Sequence, residues 1–168
     1  MVAKALVLKV NAHMDWVAFE RSVHDRFGVN TVVLQKDGNR RTAEAILWAN
    51  EICERIKNHK KGSDRICDTL RRYLMHEAEV NKRFTAGECA AGMYRMIAPI
   101  IRNDEIEGFI SLCGRPFLSV DRIYTDYIHR TIDTEEEIIK ELLISLKPIS
   151  PRTIKESGYK ESPSELIL

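Results

Sequence analysis

Residues Cys89 to Gly114 read CAAGMYRMIAPIIRNDEIEGFISLCG, and the fold turns on how this stretch is read. An apolar run, Met93 to Ile101, leads to the polar turn Asn103-Asp104-Glu105; a second run, Ile106 to Leu112, follows. Two short apolar runs around an Asn-Asp turn predict a β-hairpin. With a three-residue loop, Arg102 faces Ile106 and Ile100 faces Gly108. Period-two alternation then puts Met96, Ala98, Ile100, Ile106, Gly108, Ile110 and Leu112 on one side, which is expected to face the core. Arg95, Ile97, Pro99, Phe109, Ser111 and Cys113 share the other side. Cys113 thereby comes to lie opposite Arg95, close to Cys89.

Upstream, Asp15 is a plausible N-cap for a helix to Phe27, with Trp16, Phe19 and Val23 at helical spacing and Gly28 as the stop. Asn30 to Gln35 is β-branched and apolar and predicts a strand, and Lys36-Asp37-Gly38-Asn39 a tight turn. The pattern predicts a second helix from Thr42 to Asn58 and a third from Asp64 to Arg83. Downstream, Ser119 is expected to cap a helix through His129, and Thr134 with Glu137 forms a capping box for a last helix ending before Pro148. The expected class is α+β, a small antiparallel sheet flanked by helices. Residues 1–147 form the expected domain and 148–168, rich in proline, a tail or linker.

With 168 residues the chain is expected to hold a single domain. A net charge of +1 gives no field that argues for direct contact with nucleic acid or an anionic membrane. No apolar run approaches the ~18 residues of a membrane span. No signal-peptide pattern follows MVAKALVLKV, so the expected location is cytoplasmic, with reduced cysteines.

Those cysteines stand at 53, 67, 89 and 113, without a Cys-x-x-Cys pair. Three readings stay open: ordinary buried thiols, a Cys-ligated metal or iron–sulfur centre, and a disulfide or redox pair. Helices two and three, joined by a short loop, can bring Cys53 near Cys67, and the hairpin returns Cys113 towards Cys89. Cys53, Cys67, Cys89 and Cys113 are therefore the candidate ligands of an iron–sulfur cluster or zinc, with Arg95 and Arg115 offsetting thiolate charge. A pocket for an organic ligand is expected to use some of Met93, Tyr94, Met96, Phe109 and Arg115, the last as a carboxylate fork or a partner of Glu88.

The same residues carry a resemblance. Cys53-Glu-Arg-Ile56, Cys67, Cys89-Ala-Ala-Gly92-Met93, Ala98-Pro99-Ile100, Gly108 and Gly114 resemble the PocR ligand-binding (sensory) domain across Phe19 to Phe117. The chain departs from that pattern at Ala90, where the family often has histidine, and Cys113 is additional to it. The resemblance implies a PAS-like fold and a non-enzymatic sensor of small organic molecules in bacterial signal transduction. The signal would pass through the C-terminal helices to an output partner protein or a homodimer. Two other classes remain: an enzyme using Cys89 as nucleophile, and a structural domain with plain thiols.

Overall fold

The computed structural model describes residues 14–42, 47–117 and 122–149. Helix α1 (Trp16–Phe27) opens under Asp15, whose carboxylate accepts from the N–H groups of Val17 and Ala18, and ends at Gly28 with φ 61°. Strand β1 (Asn30–Gln35) follows, then α2 (Glu51–Asn58), a helical turn α3 (Lys60–Gly62), a π-helical segment (Ser63–Asp68) and α4 (Thr69–Asn81). Strands β2 (Thr85–Glu88), β3 (Met93–Arg102) and β4 (Glu105–Pro116) precede α5 (Arg122–Ile132) and α6 (Glu136–Ile144). The sheet is antiparallel in the order β1-β4-β3-β2, which completes the expected α+β class.

The hairpin forms, but with a tighter turn than expected. Asn103 and Asp104 both take positive φ, 51° and 62°, and Arg102 pairs with Glu105. These are type I′ values, which suit the right-handed twist of the strands. A register shift between Ile100 and Ile101 then restores the expected pairing of Ile100 with Gly108. Ile106 pairs with Ile101 and so packs with Ile97 and Phe109, on the side opposite to the one expected. Nor is one side alone buried. Val33, Ile100 and Ile110 pack on Trp16 and Phe19 of α1. Ile97 and Phe109, both about fully buried, pack on Leu74 and Ala78 of α4.

Other expectations shift. Helix α2 starts at Glu51, not Thr42, because Asn50 supplies the capping oxygen, which accepts from Cys53 N–H at 2.8 Å. The third helix starts earlier, is interrupted by a π-helical segment, and ends at Asn81. Strand β2 is unanticipated. Thr134 does not cap α6; Glu135 holds the cap position, and the Thr134 carbonyl meets His129 Nδ1 instead. The expected cap Ser119 and most of the expected tail lie outside the described residues.

Candidate functional site

A cavity of about 190 Å³ lies between the sheet and the stretch from α2 to the π-helical segment. Its sheet wall comes from alternate positions: Asn30, Val32 and Leu34 on β1, Met93 and Arg95 on β3, Ser111 and Cys113 on β4. Pairing explains the company, because Asn30 faces Cys113 and Val32 faces Ser111 across the ladder. The helical wall brings Cys53 and Ile56 from α2 and Ile66 and Cys67 from the π-helical segment. Cys89 and Ala91 come from the turn between β2 and β3, closed by Gly92 N–H donating to Cys89 O at 2.8 Å.

One irregularity shapes the site. Between the pairs Tyr94–Arg115 and Met96–Leu112 the register shifts, so Arg95 on β3 is opposed by Cys113 and Gly114 together. Gly114 takes φ +102°, and a Cβ there would sit 2.7 Å from Ala49 Cβ. Two asparagines sew the start of α2 onto this bulge. Asn50 donates to Gly114 O while capping α2, and Asn30 accepts from Ala49 N–H while its amide lies 3.8 Å from Cys113 Sγ. Cys67 sits on a π-helical segment, a geometry frequent at functional sites.

The electrostatics are unusual for a cavity wall. Burial pushes the Cys53 thiol well above its ordinary value, with Cys113, Cys89 and Cys67 adding to the shift against an Asn50 hydrogen bond. Burial likewise pushes Cys67 up to about 12, against the pull of Arg95. Cys89 is raised by burial too, opposed by the backbone of Ala91 and Met93. For Arg95, burial opposes the charge, and the cysteine sulfurs, led by Cys113, outweigh it and hold the guanidinium charged. At the far wall Lys57 Nζ lies 2.9 Å from Asp68 Oδ1. Burial works to raise that carboxyl, but Lys57 and Arg71 overcome it and hold it below its ordinary value.

Cys53, Cys67, Cys89 and Cys113 thus line one cavity as free thiols. As a donor set they suit zinc or an iron–sulfur cluster. Among the described residues no group of three or more His, Cys, Asp or Glu side chains is placed to hold a metal. Of the expected ligand contacts, Met93 lines the cavity. Tyr94 and Met96 point to the other side of the sheet, packing with Val29 and Ile149, because their even numbers place them with Ile100 and Ile110. Phe109 fills the core against Leu34 and Leu74. Arg115 does not meet Glu88; it donates to the carbonyls of Phe27, Lys147 and Pro148, tying the end of α1 to the chain after α6. Glu88 accepts from Tyr124 instead. Sequence reasoning missed Asn30, Trp48 and Ser111, and saw Arg95 only as a counter-charge. Asn50 before Glu51 was a readable cap, hidden by an apolar periodicity that runs on upstream of it.

The lining thiols and apolar side chains belong to a core shared with the last two helices. Ile52, Ile56, Ile66, Cys89 and Met93 pack with Ile128 and Ile132 of α5 and Ile139 and Leu143 of α6. The site's wall is thus continuous with the C-terminal helices, on an α+β scaffold consistent with a PAS-like fold. The model of the PocR family, described as a sensory domain found in PocR, matches residues 16–159, and the chain belongs to that family. No curated protein and no solved structure matches it. Among the described residues no helix is long and apolar enough to cross a membrane.

Proposed function

We propose that this sensory domain binds a small organic molecule in the thiol-walled cavity and acts without catalysis in bacterial signal transduction. The observation that carries the reading is the cavity of about 190 Å³ whose wall is continuous with α5 and α6. An apolar cavity of about 150 Å³ is large enough to hold benzene, so the space suits a ligand of that order. Occupancy favours whichever packing of α5 and α6 the ligand contacts better, and a partner chain or a second copy reads that change. Thermal-shift and calorimetric screening of small alcohols, aldehydes and acids tests it, with amide exchange of α5 and α6 as the second readout. Silence across the whole set sinks the ligand reading, and binding without altered exchange in α5 and α6 sinks the relay.

A second reading is a Cys-ligated iron–sulfur or zinc centre in a cytoplasmic sensor. It is favoured by one observation: four cysteines spread over 61 positions of sequence, Cys53 to Cys113, line the same cavity. Ligation requires the sulfurs to draw together and lose their protons, so binding couples to packing. Metal analysis and absorption spectra of anaerobically purified protein test it. Each single Cys→Ser change is expected to lose the metal; metal-free protein after reconstitution with iron and sulfide or zinc ends this reading.

A further inference from the structure

Four cationic side chains line the cavity, Arg40, Lys57, Arg71 and Arg95, and no carboxylate is among the lining residues. Three of the four are matched. Arg40 Nη2 lies 2.8 Å from Glu20 Oε2, and Lys57 and Arg71 share Asp68 at 2.9 and 3.3 Å. Arg95 is different. It is 8% exposed, and its Nε has no hydrogen-bond partner among the described residues. Its Nη2 donates to Cys113 Sγ at 3.4 Å, and sulfur is a weak acceptor. Arginine does not shed its proton inside a protein, so this charge cannot be relieved by neutralisation. A buried charge calls for a partner of opposite sign, and no carboxylate among the cavity's lining residues supplies one.

We propose that the missing partner is the ligand itself, a small monocarboxylate whose head pairs with Arg95 and whose hydrocarbon body lies against Val32, Ile56, Ile66 and Met93. This rests on the reading of the cavity as an organic-ligand site and names its ligand class. A planar guanidinium fork fits a carboxylate with two parallel hydrogen bonds. A phosphate brings roughly 1.5 to 2 negative charges, more than the single unmatched cation can balance. The thiols of Cys53, Cys67 and Cys89 are held protonated, so they offer weak S–H donors and do not repel an anion. The cavity volume suits an acid of roughly four to seven carbons.

The test is calorimetry of the purified protein with butyrate, valerate, hexanoate and benzoate, each beside its neutral amide, on the wild type, Arg95→Met and Arg95→Lys. Metal content is measured on the same samples. At least one acid is expected to bind the wild type about 30-fold or more tightly than its amide. Arg95→Met is expected to lose that preference while still binding the amide. Arg95→Lys keeps the charge without the fork and is expected to keep part of it, which holds the test open if Arg95→Met does not fold. Equal binding of acids and amides, or acid binding unchanged in Arg95→Met, overturns the carboxylate assignment and leaves the organic-ligand site standing. Failure of both series on the wild type overturns the two together.

Discussion

The two sides of the sheet each bury one charged group, and they treat it in opposite ways. On the α1 side Glu20, 4% exposed, is fully engaged. Its carboxylate accepts from Val33 N–H at 2.7 Å, from Arg40 at 2.8 Å and from Thr42 at 3.0 Å, closing the open edge of β1. On the cavity side Arg95 has a sulfur for company and an unpaired Nε. The first arrangement belongs to the fold. The second leaves a buried guanidinium only partly engaged, and the proposed carboxylate would complete it.

The sharpest way to break this contrast is to delete each charge. Glu20→Ala leaves Arg40 and the Val33 N–H uncompensated and is expected to cost about 3–5 kcal/mol. Arg95→Met removes a charge with no carboxylate beside it in the cavity wall and is expected to change stability by less than about 1 kcal/mol, or to raise it. Urea denaturation of both variants without ligand decides. Comparable losses would mean that Arg95 is held by contacts equal to those of Glu20, and the contrast would fail.

Neighbouring valines give a milder version. Val33 is 0% exposed and packs with Ile100 and Ile110, whereas Val32, next along β1, lines the cavity. Val33→Ala opens a new void in close-packed surroundings and is expected to cost about 2 kcal/mol; Val32→Ala enlarges an existing space and is expected to cost about half as much. Equal costs would show that the cavity wall is packed as tightly as the closed side.

The sequence carried the two sides only in part. Parity along β3 and β4 separates them, and it holds from Ala98 to Leu112 except where the two-residue turn displaces Ile106. The expected ligand contacts mixed the parities: Met93 is odd, whereas Tyr94 and Met96 are even and so turn to α1. Arg115 comes after the bulge at Cys113 and Gly114, where parity no longer carries over from the hairpin. The cysteines were legible because chemistry marks them, and their shared cavity because the hairpin register and the short link between helices bring them back. Strand β2 was not legible: Thr85-Ala-Gly-Glu88 is short, has Thr85 as its single β-branched residue, and becomes a strand by pairing with β3. Arg95 was read only as a counter-charge to thiolates, since nothing in a sequence says which arginine will lack a carboxylate beside it.

Asn50 tests how firmly the helical wall is fixed to the cavity side. It caps α2 through its oxygen and holds the bulge through its amide. Asn50→Ala is expected to cost about 1 kcal/mol through the lost cap. Asn50→Asp keeps the capping oxygen and loses the donor to Gly114. It is expected to recover most of the stability and to bind ligand more weakly than the wild type. If Asn50→Asp binds as the wild type does, the bulge does not need that tie.

The smallest effect under neutral conditions is that of pH, and its sign follows from the thiols. Burial raises Cys53, Cys67 and Cys89 in the folded protein, Cys67 to about 12, above the ordinary value of 9.0 they regain on unfolding. Below pH 9 both states keep these protons, so the thiols give no slope between pH 6 and 8. Above it the unfolded chain releases protons that the folded chain retains, and stability falls; for Cys67 the fall continues until it ionises near pH 12 in the folded protein. The α1 side holds none of the four cysteines, so the slope belongs to the cavity side. Cys67→Ser is expected to flatten it between pH 9 and 11, when melting temperature is followed against pH in the metal-free protein. The same protons make the thiols slow to alkylate at pH 7.5, because the thiolate is the nucleophile. Fast labelling of Cys67 at that pH would place it in contact with water, and the alkaline slope would then have to come from elsewhere.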